Sequence, residues 1–252
     1  MQCKTDGLVI RENNVGESDR IISILTREKG VVRASARGAR KVKSRILPAV
    51  QLLTHSDFTL FHGRELYIID EAEPLHLFLG VRRDLDRLAL AQYFAQMEET
   101  LAPQEDGAEV YLRLALNALY MLETGKRPPA LVKAAFEMRL LTLAGYMPDL
   151  VACRVCGAYE AAHMWFDPVH GDLVCDRCAP GEDVTRDGES LPLAPGALAA
   201  MRHTVYADFG RLFSFELPEA ALAELGRAVE RYVCCRLERS FSTLDFYHGL
   251  HP

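Results

Sequence analysis

The sequence predicts an α+β multidomain chain. Five short strands close a small N-terminal barrel, and a helical region interrupted by a cysteine-rich hairpin follows. Three observations predict this. β-Branched and aromatic residues gather in five runs within the first 80 residues, with turn residues between them. Apolar residues recur at helical spacing from residue 82 onward. Two Cys-x-x-Cys pairs break that helical pattern between residues 153 and 178.

The five candidate strands are residues 5–11, 20–26, 31–36, 52–61 and 65–71. Asn13-Asn14-Val15-Gly16-Glu17 closes the first hairpin, Glu28-Lys29-Gly30 the second and His62-Gly63-Arg64 the last. A single long connection, between the third and fourth strands, fits a five-stranded OB-type β-barrel; an SH3-like barrel is the nearest competitor. That connection is basic. Arg37, Arg40, Lys41, Lys43 and Arg45 stand in nine residues, and Arg33 precedes them on the third strand. Gly38 and Ala39 are expected to leave backbone N–H groups accessible, so the segment suits a phosphate backbone, where each neutralised phosphate releases counterion. A solvated loop charged for solubility is the plain alternative. Phe58, Phe61 and Tyr67 are candidates for base stacking or for barrel core.

Helices are expected over residues 82–101, 106–123 and 130–144. The first carries an apolar stripe, Leu90, Phe94, Met97 and Leu101, with Pro103 after its end. The second is apolar almost all round and so is expected to be buried on most sides. Pro128-Pro129 opens the third, and Gly145 and Pro148 stop it. Glu98 and Glu99 are adjacent on a helix, point different ways and are expected at the surface rather than as a catalytic pair. Two more helices are read at residues 196–206 and from Pro218 onward, and residues 180–195 read as a loop. The tail after Arg239 is open between packed and frayed.

Cys153, Cys156, Cys175 and Cys178 place two knuckles at the ends of a short hairpin, with Gly157 after the first pair. The spacing is that of a four-thiolate zinc site; two redox dithiols or four buried thiols are the alternatives. A closed thiolate shell stabilises a fold and leaves no open position for catalysis. His163 and His170 read as ordinary hairpin residues. The expected division is a barrel over residues 1–80, a helical domain over 81–149 and 183–252, and the zinc hairpin inserted at 150–182.

The net charge of −6 hides an asymmetry: residues 1–80 carry 12 Lys+Arg against 10 Asp+Glu, and the remainder 17 against 25. A local basic face on an acidic chain is therefore the expectation. No apolar run reaches the ~20 residues of a membrane span. The N-terminus lacks the apolar core of a signal peptide, and seven cysteines, four of them in metal spacing, fit a reducing cytoplasm.

Three stretches together resemble the RecO family of bacterial DNA repair proteins. They are Arg37-Gly38-Ala39-Arg40 with Lys43-Ser44, Phe136-Glu137-Met138-Arg139-Leu140-Leu141 with Gly145-Tyr146, and the paired cysteines with Gly157. The resemblance spans nearly the whole chain in the family's domain order. It implies a recombination mediator and no enzyme. Such a protein binds single- and double-stranded DNA, anneals complementary strands and, with RecR, helps load RecA onto DNA coated by single-strand-binding protein (SSB). It implies one structural Zn2+ and, in some members, a helical-domain groove for the SSB tail. Lys133 and Arg139 lie on the matching helix as rim candidates. The rivals are a zinc-ribbon scaffold for RNA or protein, and a nuclease using Asp167, Asp172 and Asp176.

Overall fold

The computed structural model describes residues 2–179 and 190–250. Five strands, β1 (Gln2–Val15), β2 (Asp19–Thr26), β3 (Gly30–Ala36), β4 (His55–His62) and β5 (Tyr67–His76), close a barrel in the order β1-β2-β3-β5-β4. β1 is shared: its N-terminal half pairs with β4 and its C-terminal half with β2, with a register shift between Val9 and Arg11. Such a bulge bends a strand enough to serve two partners. The barrel is sealed by one parallel contact, Ala34 with Tyr67 and Ser35 with Ile68. This is OB-type closure and decides against the SH3-like competitor. Val9, Ile22, Ile24, Val32, Ala34, Phe58 and Leu60 fill the interior. Alternation holds on β3, where Val32, Ala34 and Ala36 point in and Arg33 points out.

β1, β2 and β3 outrun their expected bounds, and β5 runs past its expected end. β1 and β2 continue through Asn13 and Asn14 to a turn with Gly16 at φ +56. That exposed ladder rests on backbone pairing rather than apolar alternation, so its sequence carries no strand signal. β4 starts later than expected. A turn of 3-10 helix, Leu47–Val50, and a left-handed Leu53 (φ 61) hold the chain against β1, where Leu53 N–H donates to Val9 O at 2.8 Å.

The helices are α1 (Leu79–Arg82), α2 (Leu85–Leu101), α3 (Glu109–Thr124), α4 (Pro129–Leu143), α5 (Pro195–Tyr206), α6 (Glu219–Leu237) and α7 (Ser242–Gly249). A second sheet joins β6 (Met164–Asp167), β7 (Asp172–Cys175) and β8 (Leu191–Leu193) in the order β7-β6-β8. β8 falls where a loop was expected: three residues containing Pro192 are too short to carry alternation, and β6 recruits them through Met164–Leu193 and Phe166–Leu191. Residues 180–189, the rest of that expected loop, lie outside the described residues. By packing, the chain divides into two compact units, Met1–Lys126 with Phe241–Pro252, and Arg127–Ser240. The line expected at residue 80 follows the change from strand to helix; packing groups α1–α3 with the barrel.

In the first unit, Asp84 caps α2 by accepting from Arg87 N–H at 3.1 Å. The tail returns as α7 and packs on α2: the Phe241 ring meets Tyr93 edge-on at 5.5 Å, and Thr243 Oγ1 donates to Gln96 Oε1 at 2.5 Å. Glu99 faces the barrel, accepting from Ser23 and pairing with Arg11 at 3.3 Å. Glu98 corrects the expectation of a surface residue. It is completely buried, and neither carboxylate oxygen has a hydrogen-bond partner among the described residues. Burial alone raises its pKa well above the ordinary 4.5.

In the second unit α4 is central, buried from Leu131 to Leu141, and α5 and α6 pack on it. Its end matches the sequence signal: Gly145 adopts φ +90, and Tyr146 N–H reaches back to Leu141 O at 2.8 Å. Three charged side chains of α4 are interior. Lys133, 6% exposed, bridges Glu137 at 2.8 Å and Glu230 of α6 at 2.6 Å. Burial opposes its ammonium, but the two carboxylates outweigh it and raise its pKa. Arg139, 8% exposed, donates to the carbonyls of Thr204 and Ala207 at the C-terminal end of α5. Both heads are spent within the fold, so neither forms the rim of a surface groove.

Candidate nucleic-acid interface and metal centre

The basic connection leaves β3 at Ala36 and is pinned at its start. Asp19, at the start of β2, accepts from Gly38 N–H at 2.7 Å and from Ser18 Oγ at 2.9 Å. Those two donors hold its carboxyl below the usual range. Arg40 N–H donates to Ser18 O at 2.9 Å, its guanidinium reaches Gly16 O at 3.1 Å, and Ala39 is buried in the barrel core. The N–H groups of Gly38 and Ala39 are therefore occupied, contrary to expectation, by Asp19 and by Ala36 O. What the loop presents is side-chain charge. Arg33, Arg37, Arg40, Lys41, Lys43 and Arg45 are all exposed, and the fully exposed Val42 stands among them. Arg33 stands on the outer face of β3, and Arg37 opens the turn that follows the strand.

The neighbouring cations do not extend this face uniformly. Arg82, at the end of α1, donates to Leu77 O, Leu52 O and Thr54 Oγ1 and ties α1 to the barrel. Burial lowers its pKa. Phe58 is core, while Phe61 is exposed and Tyr67 half-buried. A cavity of about 510 Å3 opens beside Arg33, between β3 and the β4–β5 turn, lined among others by His62, Arg64, Tyr67, Gln104 and Glu105. Sequence reading missed it because residues 104–105 are about 40 positions from the turn they meet; only chain reversal joins them. A larger hollow, about 680 Å3, is walled by Asp6, Glu28, Asp57, Glu71 and Glu73 and would repel phosphates.

The four cysteines converge. Their Sγ atoms lie within 4.8 Å of one another. A tetrahedron of ~2.3 Å metal–sulfur bonds spaces its sulfurs about 3.8 Å apart, and Cys156 Sγ sits 3.6 Å from Cys175 Sγ. Two tight turns aim them: Gly157 N–H donates to Cys153 O at 2.8 Å with Gly157 at φ +71, and Cys178 N–H donates to Cys175 O at 3.0 Å. Burial opposes the Cys153 thiolate, but backbone N–H groups outweigh it and lower the pKa to about 6. Cys178 is pushed up to about 12 by the Cys175 and Cys156 side chains. Four sulfurs this close cannot all ionise without a cation among them, so the donor set fits a metal ion. Cys153, Cys156, Cys175 and Cys178 would hold it, and its chemistry there is cross-linking.

The hairpin is seated on α6. The Phe166 ring meets Tyr232 at 5.4 Å, and Tyr232 Oη donates to Tyr146 O at 3.0 Å. Gly171 has φ +73, and a Cβ there would lie 2.9 Å from Tyr232 Oη, so both backbone and space demand glycine. The three aspartates of the nuclease reading are not gathered on a metal. Asp167 folds onto its own turn, accepting from Val169 N–H and His170 Nδ1, and Asp172 pairs with Arg154 at 3.4 Å. Among the described residues, the thiol cluster is the group of three or more ligand side chains close enough to share an ion. His163 is exposed.

Comparison with known proteins covers the whole architecture. The family model described as Recombination protein O N terminal matches residues 1–78, and that described as Recombination protein O C terminal matches residues 82–245. A protein of Acetivibrio thermocellus named DNA repair protein RecO is 37% identical over 98% of this chain and 96% of its own length. Proteins of the same name from Symbiobacterium thermophilum (35% identical; 97% of this chain and 96% of theirs) and Nocardioides sp. (32%; 98% and 99%) align as fully.

Proposed function

This chain belongs to the RecO family of DNA repair proteins, and on that premise we propose that it is a non-catalytic recombination mediator that binds DNA through its barrel. It captures single and double strands by their phosphates, anneals complementary strands and, with RecR, assists RecA onto SSB-coated single strands. The observation that carries the reading is the loop of residues 37–45. Its cations are exposed while its start is anchored to Asp19 and the barrel core.

Annealing follows from that chemistry. Two complementary strands repel each other through their phosphates. A pinned row of cations neutralises part of that charge and leaves Watson–Crick edges free to pair. Holding the loop at its base reduces the entropy lost when its side chains settle on a strand. The reading assigns no catalytic residue. It assigns the thiol cluster one structural Zn2+, because four thiolates in this spacing favour zinc among common divalent ions.

The test is fluorescence titration of the full chain with labelled single-stranded DNA across salt. A steep fall of affinity with salt is expected, with log–log slope near −0.7 per phosphate neutralised. A flat dependence would remove the phosphate reading.

A further inference from the structure

We propose that the cavity between β3 and the β4–β5 turn is a nucleobase pocket that takes one unpaired base of a strand running over the basic loop. This rests on the DNA-binding reading and adds to it a contact that only single-stranded DNA can make.

The cavity lies beside the shortest seam of the closed barrel. β3 pairs with β5 only at Ala34 and Ser35. Upstream, at Gly30 and Val31, the strand edge is turned to a different segment: Val31 N–H donates to Pro103 O at 2.8 Å, and Gln104 bridges both Gly30 and Val31. Gly30 is forced at this contact. It has φ +61, and a Cβ would stand 2.0 Å from Pro103 O. The segment so clamped ends in Glu105, which adopts φ +58, a conformation unfavourable for a residue with a side chain. Strain of this kind persists where surrounding structure over-determines it, and it concentrates at binding sites.

The walls suit a base better than a phosphate. Tyr67 packs one side against the barrel core and meets the His62 ring edge-on at 5.1 Å, a rigid aromatic corner. Gln104 and Glu105 add amide and carboxylate groups of the kind that pair with base edges. Arg33 and Arg64, both exposed, supply cations on the lining for the flanking phosphates. The volume, about 510 Å3, lies in the range of small-molecule sites, ~300–1,000 Å3. Arg33 also begins the row that continues through Arg37, so a strand bound to the loop arrives at the pocket mouth.

The experiment compares a short oligothymidylate with the same sugar–phosphate chain lacking bases, on the wild-type protein and on His62→Ala and Tyr67→Leu. Unchanged melting of His62→Ala, whose side chain is exposed, checks the fold. The wild type is expected to bind the intact oligomer at least about fivefold more tightly than the abasic one, as one stacked base requires. That ratio is expected to collapse toward one in both variants. Equal wild-type affinity for the two oligomers overturns the pocket and leaves phosphate capture standing. A ratio that survives both substitutions also overturns it, since the base would then be held elsewhere. Failure to bind either oligomer defeats the DNA reading and the pocket together.

Discussion

Glu98 is wholly enclosed with no hydrogen-bond partner among the described residues, so the fold holds it as the neutral acid. The unfolded chain releases that proton near the ordinary 4.5. Its contribution to stability is therefore complete below that value and declines as pH rises toward the raised folded value. The slope is about 1.4 kcal/mol per pH unit within this window. Glu98→Gln removes the dependence. Chemical denaturation should show the variant gaining on wild type as pH rises above the ordinary carboxylate value; parallel profiles would mean the carboxyl is not retained as an acid. Lys133 behaves oppositely, because its partners are charged. Lys133→Met strands Glu137 in the interior, and a loss of about 3–5 kcal/mol is expected. The double variant Lys133→Met with Glu137→Met should recover most of it. If the double variant is no better than the single, the pair is not coupled.

The loop of residues 37–45 and the cysteine hairpin are the two elements whose roles separate most cleanly. Reversing Arg37, Arg40, Lys41 and Lys43 to glutamate should flatten the salt dependence of single-strand binding by about 3 in slope, the equivalent of four phosphates. Affinity at low salt should fall by roughly a hundredfold or more. Circular dichroism and melting should be little changed, because the anchors at Asp19 and Ala39 remain and only the exposed Arg40 contact to Gly16 O is lost. Replacing Cys153 and Cys156 by serine acts on the other element. It should destabilise the hairpin by several kcal/mol while leaving DNA affinity per folded molecule near wild type, since metal and folding energy are linked at such sites. A selective loss of DNA binding by the folded cysteine variant would instead place the metal in the interface.

At the scale of the molecule, the chain packs as two units, each with its own core and only one with the thiol cluster. Unfolding is expected to depart from a single transition. Adding a metal chelator should lower the melting temperature assigned to residues 127–240 and spare the one assigned to the barrel, read by calorimetry with and without added Zn2+. One transition moving as a whole under chelator would contradict this independence.

Much of this was written in the chain order. Strand count, turn glycines, the helix start after Pro128 and stop at Gly145, the cysteine spacing and the basic loop are local signals, and local chemistry decides them. The family resemblance rested on those same stretches. Tertiary structure alone decided which charges face water. Lys133, Arg139 and Arg82 have the composition of surface cations, yet each is consumed by carboxylates or carbonyls brought from elsewhere in the chain. Glu98 and Glu99 are neighbours in sequence, but a helix turns one into the core and the other toward Ser23 and Arg11. Likewise the cavity beside Arg33 exists only because residues 103–105 fold back onto the edge of β3. Burial and long-range pairing depend on what lies opposite a side chain, and a one-dimensional pattern holds no record of that.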